Sequence, residues 1–266
     1  SNLIQSNNFD LLMHFAGFIQ VEESVKQPEK YFENNTNNAI KLFNICKKNG
    51  LTKIVFSSTA AAYGLVSEDK LIDEHTNLNP QNPYAESKIK TEKFLFDNKD
   101  NFQFIILRYF NVAGADKKMR SGLISKYSTH LIKIISEVVT KKRKKLVVYG
   151  NNYNTYDGTP VRDFIHVSDL ADIHFKSLNY LLKKNKSGIF NCGYGKGYSV
   201  KDVIKATEKL TQKKLNYIIG PKRKGDSPKI VSNPNKFKKV MKWQPKFDNL
   251  NIILKSAIKW EKKIKH

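Results

Sequence analysis

Tyr84 and Lys88 stand four residues apart in "NPYAESK" (82–88), behind a proline suited to the first turn of a helix. On a helix such a pair shares one face, one turn apart. A lysine ammonium beside a phenol favours the phenolate. A group that ordinarily ionises near pH ~10 would then serve as a base closer to neutrality. Spacing alone does not establish this. Only five of the 47 basic residues are arginine, which leaves 42 lysines, and two of the 12 tyrosines have lysine at i+4, as many as chance supplies. The second pair is Tyr180 and Lys184, so the surroundings must separate the two.

The elements that would position Tyr84 follow an alternating pattern. "FDLLMHFAG" (9–17) is a short apolar run ending in glycine, as a buried parallel strand requires. Residues 28–50 predict a helix, with Pro28 in its first turn and Gly50 as its stop. Strand 53–58 and a long loop lead to a helix from Pro83 to about Asn98, then strand 102–110. This β-α-β-α-β order predicts an α/β fold with a doubly wound parallel sheet, in which ligands bind beyond the carboxyl ends of the strands. "HFAG", "SSTAAAYG" and "RYFNVAGA" occupy those ends. From about residue 111 the pattern is more mixed: helix 121–140, strand 146–150, a long loop, helix 168–184, strand 188–193 and helix 199–210. The expected division is 1–115 for the sheet-forming part and 116–266 for a smaller lobe, with chain returning to the first part near 145–180.

Composition limits the alternatives. With 266 residues, 40% of them hydrophobic, the chain can bury a proper core. No window is apolar for eighteen residues, and the first ten lack the basic and apolar regions of a signal peptide. Two cysteines, Cys46 and Cys192, make no disulfide framework and point to a reducing, cytoplasmic setting. The net charge of +23 raises a nucleic-acid partner, but the lysines are dispersed along the chain rather than gathered on one element. Arginine is more telling, because where lysine is so freely used it persists where a planar fork is needed for phosphate or carboxylate. Arg108, Arg162 and Arg223 are the ones inside motifs. None of the 13 glycines forms a G-x-G-x-x-G fingerprint; Gly193, Gly195 and Gly197 are spaced as G-x-G-x-G and fit a turn that docks a helix start.

With these motifs placed, the chain resembles the UDP-glucose 4-epimerases of the extended short-chain dehydrogenase/reductase family. The resemblance is carried by "HFAGFIQVEESVKQPEKYFENN" (14–35), "KIVFSSTAAAYG" (53–64), "NPYAESK", "LRYFNVAGA" (107–115), "YGNNYNTYDGTPVRDFIHVSDLADIH" (149–174) and "FNCGYGKGYSV" (190–200). It implies a truncated Rossmann-type sheet, NAD as cofactor, no metal, a UDP-sugar substrate, a homodimer in the intact protein, and partners that are neither nucleic acid nor membrane. Tyr84 matches the family's acid/base. Lys88 matches the lysine that binds the nicotinamide ribose and lowers the tyrosine's pKa, and Thr59 the Ser or Thr that bonds the sugar's 4-hydroxyl. Phe15, Ala16, Gly17, Phe18, Asn34 and Phe110 match further cofactor contacts. Asn111, His130, Leu131, Val147, Val148, Tyr149, Arg162, Arg223 and Asp226 match contacts to the UDP-sugar. Each has a plainer reading too: Phe15 as core, Asn34 as a helix cap, Arg162 paired with Asp163 or Asp169.

The implied activity is epimerisation at C4 of a UDP-hexose through a transient 4-keto sugar. A related epimerase acting on UDP-N-acetylhexosamine or a UDP-pentose, and a non-catalytic UDP-sugar-binding remnant, are the alternatives. Ile230 stands where some relatives carry a pocket-narrowing tyrosine, and Ile19 where some carry lysine. The family's leading strand, Gly-rich turn and helix have no counterpart in these residues, so the chain on its own is expected to be inactive.

Overall fold

The computed structural model describes residues 2–66, 70–125, 127–223 and 225–264. After the short α1 (Asn2–Gln5), β1 (Leu12–His14), β2 (Lys53–Thr59), β3 (Gln103–Tyr109) and the later β7 (Gly188–Cys192) form one parallel sheet in the order β1-β2-β3-β7. The register pairs Thr59 with Tyr109 and His14 with Phe56. Strand residues alternate between two cores, as the period of two demands. Ile54, Phe56, Phe104 and Ile106 pack with Ala39, Phe43 and Leu95 on one face. Val55, Ile105 and Leu107 pack on the other with residues from the second half of the chain, among them Ile135, Ile173 and Leu254.

Between β1 and β2 run α2 (Val21–Lys26), α3 (Pro28–Tyr31), a π-helical stretch Phe32–Asn37 and α4 (Asn38–Lys48). The continuous helix expected over 28–50 is therefore widened in its middle. The cause is a polar seam with α5 (Pro83–Asp97). Asn35 Nδ2 donates to Ser87 Oγ at 3.1 Å, and Thr36 Oγ1 to the Ser87 carbonyl at 2.8 Å. Thr91 Oγ1 returns to the Asn35 carbonyl at 2.9 Å, a carbonyl that the wider turn leaves available. The start of α5 is set by Asn82, whose side chain accepts from Ala85 N at 2.9 Å, and by Pro83 behind it.

A second sheet orders β10 (Lys229–Ile230), β6 (Val161–His166) and β4 (Asn111–Ala113), with β8 (Gly197–Ser199) antiparallel to β6. A two-stranded pair joins β5 (Leu146–Tyr149) to β9 (Tyr217–Gly220). Helices α6 (Leu131–Val139), α7 (Val167–Lys184), α8 (Val200–Thr211), α9 (Asn235–Met241) and α10 (Leu250–Lys263) complete the chain. The helix expected over 121–140 is confined to 131–139, residue 126 lying outside the described residues. Gly122 explains part of the shortening. A Cβ there would lie 2.6 Å from the Trp260 ring, whose Nε1 donates to the Leu123 carbonyl at 3.1 Å. The segment is thus held extended against α10.

The 193–197 glycines build a turn around the buried Asp163 carboxylate. It accepts from Tyr194 N at 3.0 Å and Gly195 N at 2.9 Å, and a Cβ on Gly193 would sit 2.5 Å from it. Those amides are consumed internally. Tyr180, of the second tyrosine–lysine pair, is half-buried against the core, while Lys184 is exposed. Cys46 and Cys192 are both free and buried, and no helix among the described residues is long and apolar enough to cross a membrane.

Candidate functional site

Thr59 ends β2, and Tyr84 lies in the first turn of α5. The Thr59 hydroxyl accepts from Ala61 N at 3.1 Å and interacts with the Tyr84 phenol. Lys88 lies one turn on and is 3% exposed. Its Nζ donates to the Ser57 carbonyl at 3.0 Å and stands 5.0 Å from the centre of the Phe56 ring. Burial pulls the Lys88 pKa down to about 8, against which the Glu92 carboxylate acts weakly. The expectation for Tyr84 needs correcting. Burial pushes its pKa up, only the Thr59 interaction opposes this, and Lys88 contributes nothing to the shift. The ammonium is engaged with β2 rather than with the phenol.

The segment after β1 lies against this group. A Cβ on Gly17 would lie 3.0 Å from Lys88 Nζ and 3.1 Å from Asn35 Oδ1, so glycine permits the close approach. Asn35 clamps the segment from both sides, accepting from Phe18 N at 2.8 Å and donating to the Phe18 carbonyl at 3.0 Å. Asn34, the residue singled out from the sequence, is half-buried beside it and donates to Asn35 Oδ1. Phe15 and Ala16 are exposed, so Phe15 is not core; its ring lies 4.8 Å from that of His174. Phe110 is buried with Ala60, Tyr63 and Ile72.

A polar chain runs behind these residues that sequence reasoning missed. Tyr109 Oη is 2.6 Å from Ser57 Oγ and 2.5 Å from His174 Nε2, and His174 Nδ1 lies 2.8 Å from the Leu170 carbonyl. A carbonyl only accepts, so Nδ1 carries the proton and Nε2 accepts from Tyr109. Burial lowers the His174 pKa, which keeps the ring neutral for that role. The i, i+2 alternation of β3 places Tyr109 on the same side as Leu107, a signal available in the sequence. His14, also buried, has an Nδ1 without a partner among the described residues. Its pKa is lowered to about 4 by burial and then by the Lys88 charge.

A second group gathers around β5, β6 and the loop before β10. Tyr149 ends β5 beside Gly220, and the Arg223 guanidinium lies 3.9 Å from the centre of its ring. Val148 is buried and Val147 half-buried on the same strand. Arg162, on β6, pairs with Asp226 rather than with Asp163 or Asp169. Arg223 Nε lies 4.0 Å from Glu22 on α2, which brings this group to the side of the first. Asn111 is exposed at the start of β4, paired across from Phe164 on the strand of Arg162. His130 stands at the start of α6 with no side-chain bond to the helix and is exposed, with Leu131 half-buried behind it. Arg108, in contrast, spends its fork internally on Glu92, at 3.1 and 2.5 Å, and on Tyr63 Oη at 3.0 Å. It is a buried structural ion pair.

Residues 1–193 match the NAD dependent epimerase/dehydratase family. The chain is 41% identical over 264 residues to a UDP-glucose 4-epimerase of Azospirillum brasilense, covering 98% of this chain and 76% of that protein. Among solved structures, the UDP-Glc/GlcNAc 4-epimerase of Campylobacter jejuni is 42% identical with a TM-score of 0.82, covering 99% of this chain and 80% of that one. The UDP-glucose 4-epimerase of Bifidobacterium longum, in complex with NAD+ and UDP, is 35% identical with a TM-score of 0.92, covering 98% and 79%.

Proposed function

From the premise that this chain belongs to the NAD dependent epimerase/dehydratase family, we propose that it carries the site of an NAD-dependent UDP-glucose 4-epimerase. The observation that carries the reading is the convergence of Thr59, Tyr84 and Lys88 where β2 ends and α5 begins, facing the glycine-cradled segment after β1. Ligands of doubly wound folds bind at such strand ends.

The residues present fit the nicotinamide end of NAD. Lys88 makes one hydrogen bond among the described residues and has further donors for ribose hydroxyls, and Gly17 leaves backbone space beside it. Phe15, Ala16, Phe18, Asn34 and Phe110 would line the same side. NAD held there would supply the hydride acceptor and donor for C4 of the sugar. Tyr84 takes the 4-hydroxyl proton as C4 is oxidised and gives it back to the keto oxygen on reduction. Thr59, beside the phenol, holds the same oxygen. The high pKa of Tyr84 suits the acid role directly. The base role requires positive charge beside the phenol beyond what Lys88 supplies to it in the free chain.

The second group would hold the UDP: Arg162, Arg223 and Asp226 at the diphosphate and ribose, Tyr149 with Val147 and Val148 along the base, and Asn111, His130 and Leu131 around them. Arg223 is the best placed, because its guanidinium has only the distant Glu22 as an ionic partner among the described residues. On this reading the cofactor part lies mainly before residue 115 and the substrate part mainly after it, with β7 returning to the first sheet. A second substrate, UDP-N-acetylglucosamine, is favoured by Ile230. It packs against the cluster of Ala60 and Phe110, the residues next to Thr59 and Asn111, and is smaller than the tyrosine some relatives carry there. The test is turnover of each UDP-sugar by the full-length gene product. Conversion of neither sugar contradicts the proposal.

A further inference from the structure

Ser57 is engaged at both ends. Its carbonyl accepts from Lys88 Nζ on α5, and its hydroxyl meets Tyr109 Oη on β3. The two bonds lead to opposite faces of the first sheet. Leu95 of α5 packs on the face of Phe56, whereas Ile105, Leu107 and Tyr109 pack on the other with Leu170 and Ile173 of α7. The direction of the second bond is fixed by what lies behind it. His174 Nε2 accepts from the Tyr109 hydroxyl, so the Tyr109 oxygen is left to accept from Ser57. One directional chain therefore runs from Ser57 through Tyr109 and both ring nitrogens of His174 to the Leu170 carbonyl. Ser57 and His174 are each 6% exposed, which shields these bonds from competing water.

Stability alone does not ask for such a chain. The same face of β3 is apolar at Ile105 and Leu107, and exchanging mutually bonded polar groups for apolar ones of like shape is close to neutral. What the polar groups add is direction. They orient the residue whose carbonyl is the one hydrogen-bond acceptor of Lys88 among the described residues. Thr59 follows two residues on, on the same face as Ser57, and lies across from Tyr109 in the register. We propose that Tyr109, with His174 behind it, is a positioning residue for the Thr59, Tyr84 and Lys88 group. Its hydroxyl fixes the end of β2, which keeps the Ser57 carbonyl on the Lys88 ammonium and Thr59 beside Tyr84. Tyr109 in this role touches neither sugar nor cofactor. This rests on the reading of Thr59, Tyr84 and Lys88 as the epimerase site.

Steady-state turnover of UDP-galactose by the full-length gene product, with kcat and KM separated and melting curves beside them, tests this. Tyr109→Phe should lose about tenfold in kcat with KM unchanged, since a small misplacement of reacting groups is felt in the chemical step. His174→Leu should do the same. His174→Gln, whose amide oxygen can still accept from the phenol, should recover most of the loss. Ser177→Ala is the control. It removes another buried hydroxyl of α7, one that donates to the Ile173 carbonyl at 2.8 Å, and should keep the wild-type kcat. An unchanged kcat in Tyr109→Phe overturns the inference, whatever its melting temperature. An equal loss in Ser177→Ala also overturns it, because the effect is then a loosened core. A wild type that turns over no UDP-sugar overturns the reading of Thr59, Tyr84 and Lys88 itself.

Discussion

Lys88 Nζ donates to the carbonyl of Ser57 at 3.0 Å, which ties the second turn of α5 to the last residues of β2. The ammonium is thereby fixed in a buried position one helical turn from Tyr84. Its folded pKa of about 8 lies below the ordinary 10.5, so between those values the unfolded chain binds more protons than the folded one. Stability therefore rises with pH through that window, and the cost of burying the charge is present below it. The full effect is on the order of 3 kcal/mol. Lys88→Met removes it. Melting curves from pH 7 to 10 should show the wild type gaining on the variant as pH rises; parallel curves contradict a buried, charged Lys88.

Tyr84→Phe should lose about 10²–10⁴-fold in turnover while still binding UDP, the usual worth of a general acid/base. Tyr180→Phe is the control, with the same i+4 lysine but a place on α7 against the core. Measured in the full-length gene product, equal effects of the two substitutions contradict the role of Tyr84.

The two tyrosine–lysine pairs also show what could be read in advance. Asn82 and Pro83 announce the start of α5, and the apolar runs of β2 and β3 announce a parallel sheet, so the position of Tyr84 was legible. Its environment was not. The direction of its pKa depends on burial by segments distant in the chain. The π-helical stretch was hidden for a like reason, because Ser87 and Thr91, more than fifty residues on, supply the bonds that widen it. Helix periodicity over 121–130 carried no hint of Trp260. Three arginines looked alike in their motifs, yet Arg108 serves Glu92, and only its partner in the fold could reveal that.

Arg223→Lys should weaken UDP binding about 5–30-fold although the charge is kept, because lysine lacks the planar fork and loses about 1–2 kcal/mol of charge-assisted bonding. Titration calorimetry measures this directly. Unchanged affinity would make Arg223 a surface partner of Tyr149 and Glu22 only.

Arg108→Met should act on stability and leave UDP affinity alone. It strands Glu92, both partners being 3% exposed, and breaking such a buried pair costs about 3–5 kcal/mol. Denaturant unfolding of the two proteins checks the figure. A loss under about 1 kcal/mol would show the pair to be solvated.

The central claim is reversible hydride removal at C4 with Tyr84 as the proton carrier. The most direct measurement follows UDP-galactose deuterated at C4 by NMR in the full-length gene product supplied with NAD. The account predicts UDP-glucose that keeps its deuterium at C4, with no build-up of free reduced cofactor, and none formed by Tyr84→Phe over the same period. Loss of the deuterium to water, or no interconversion by the wild type, would contradict it.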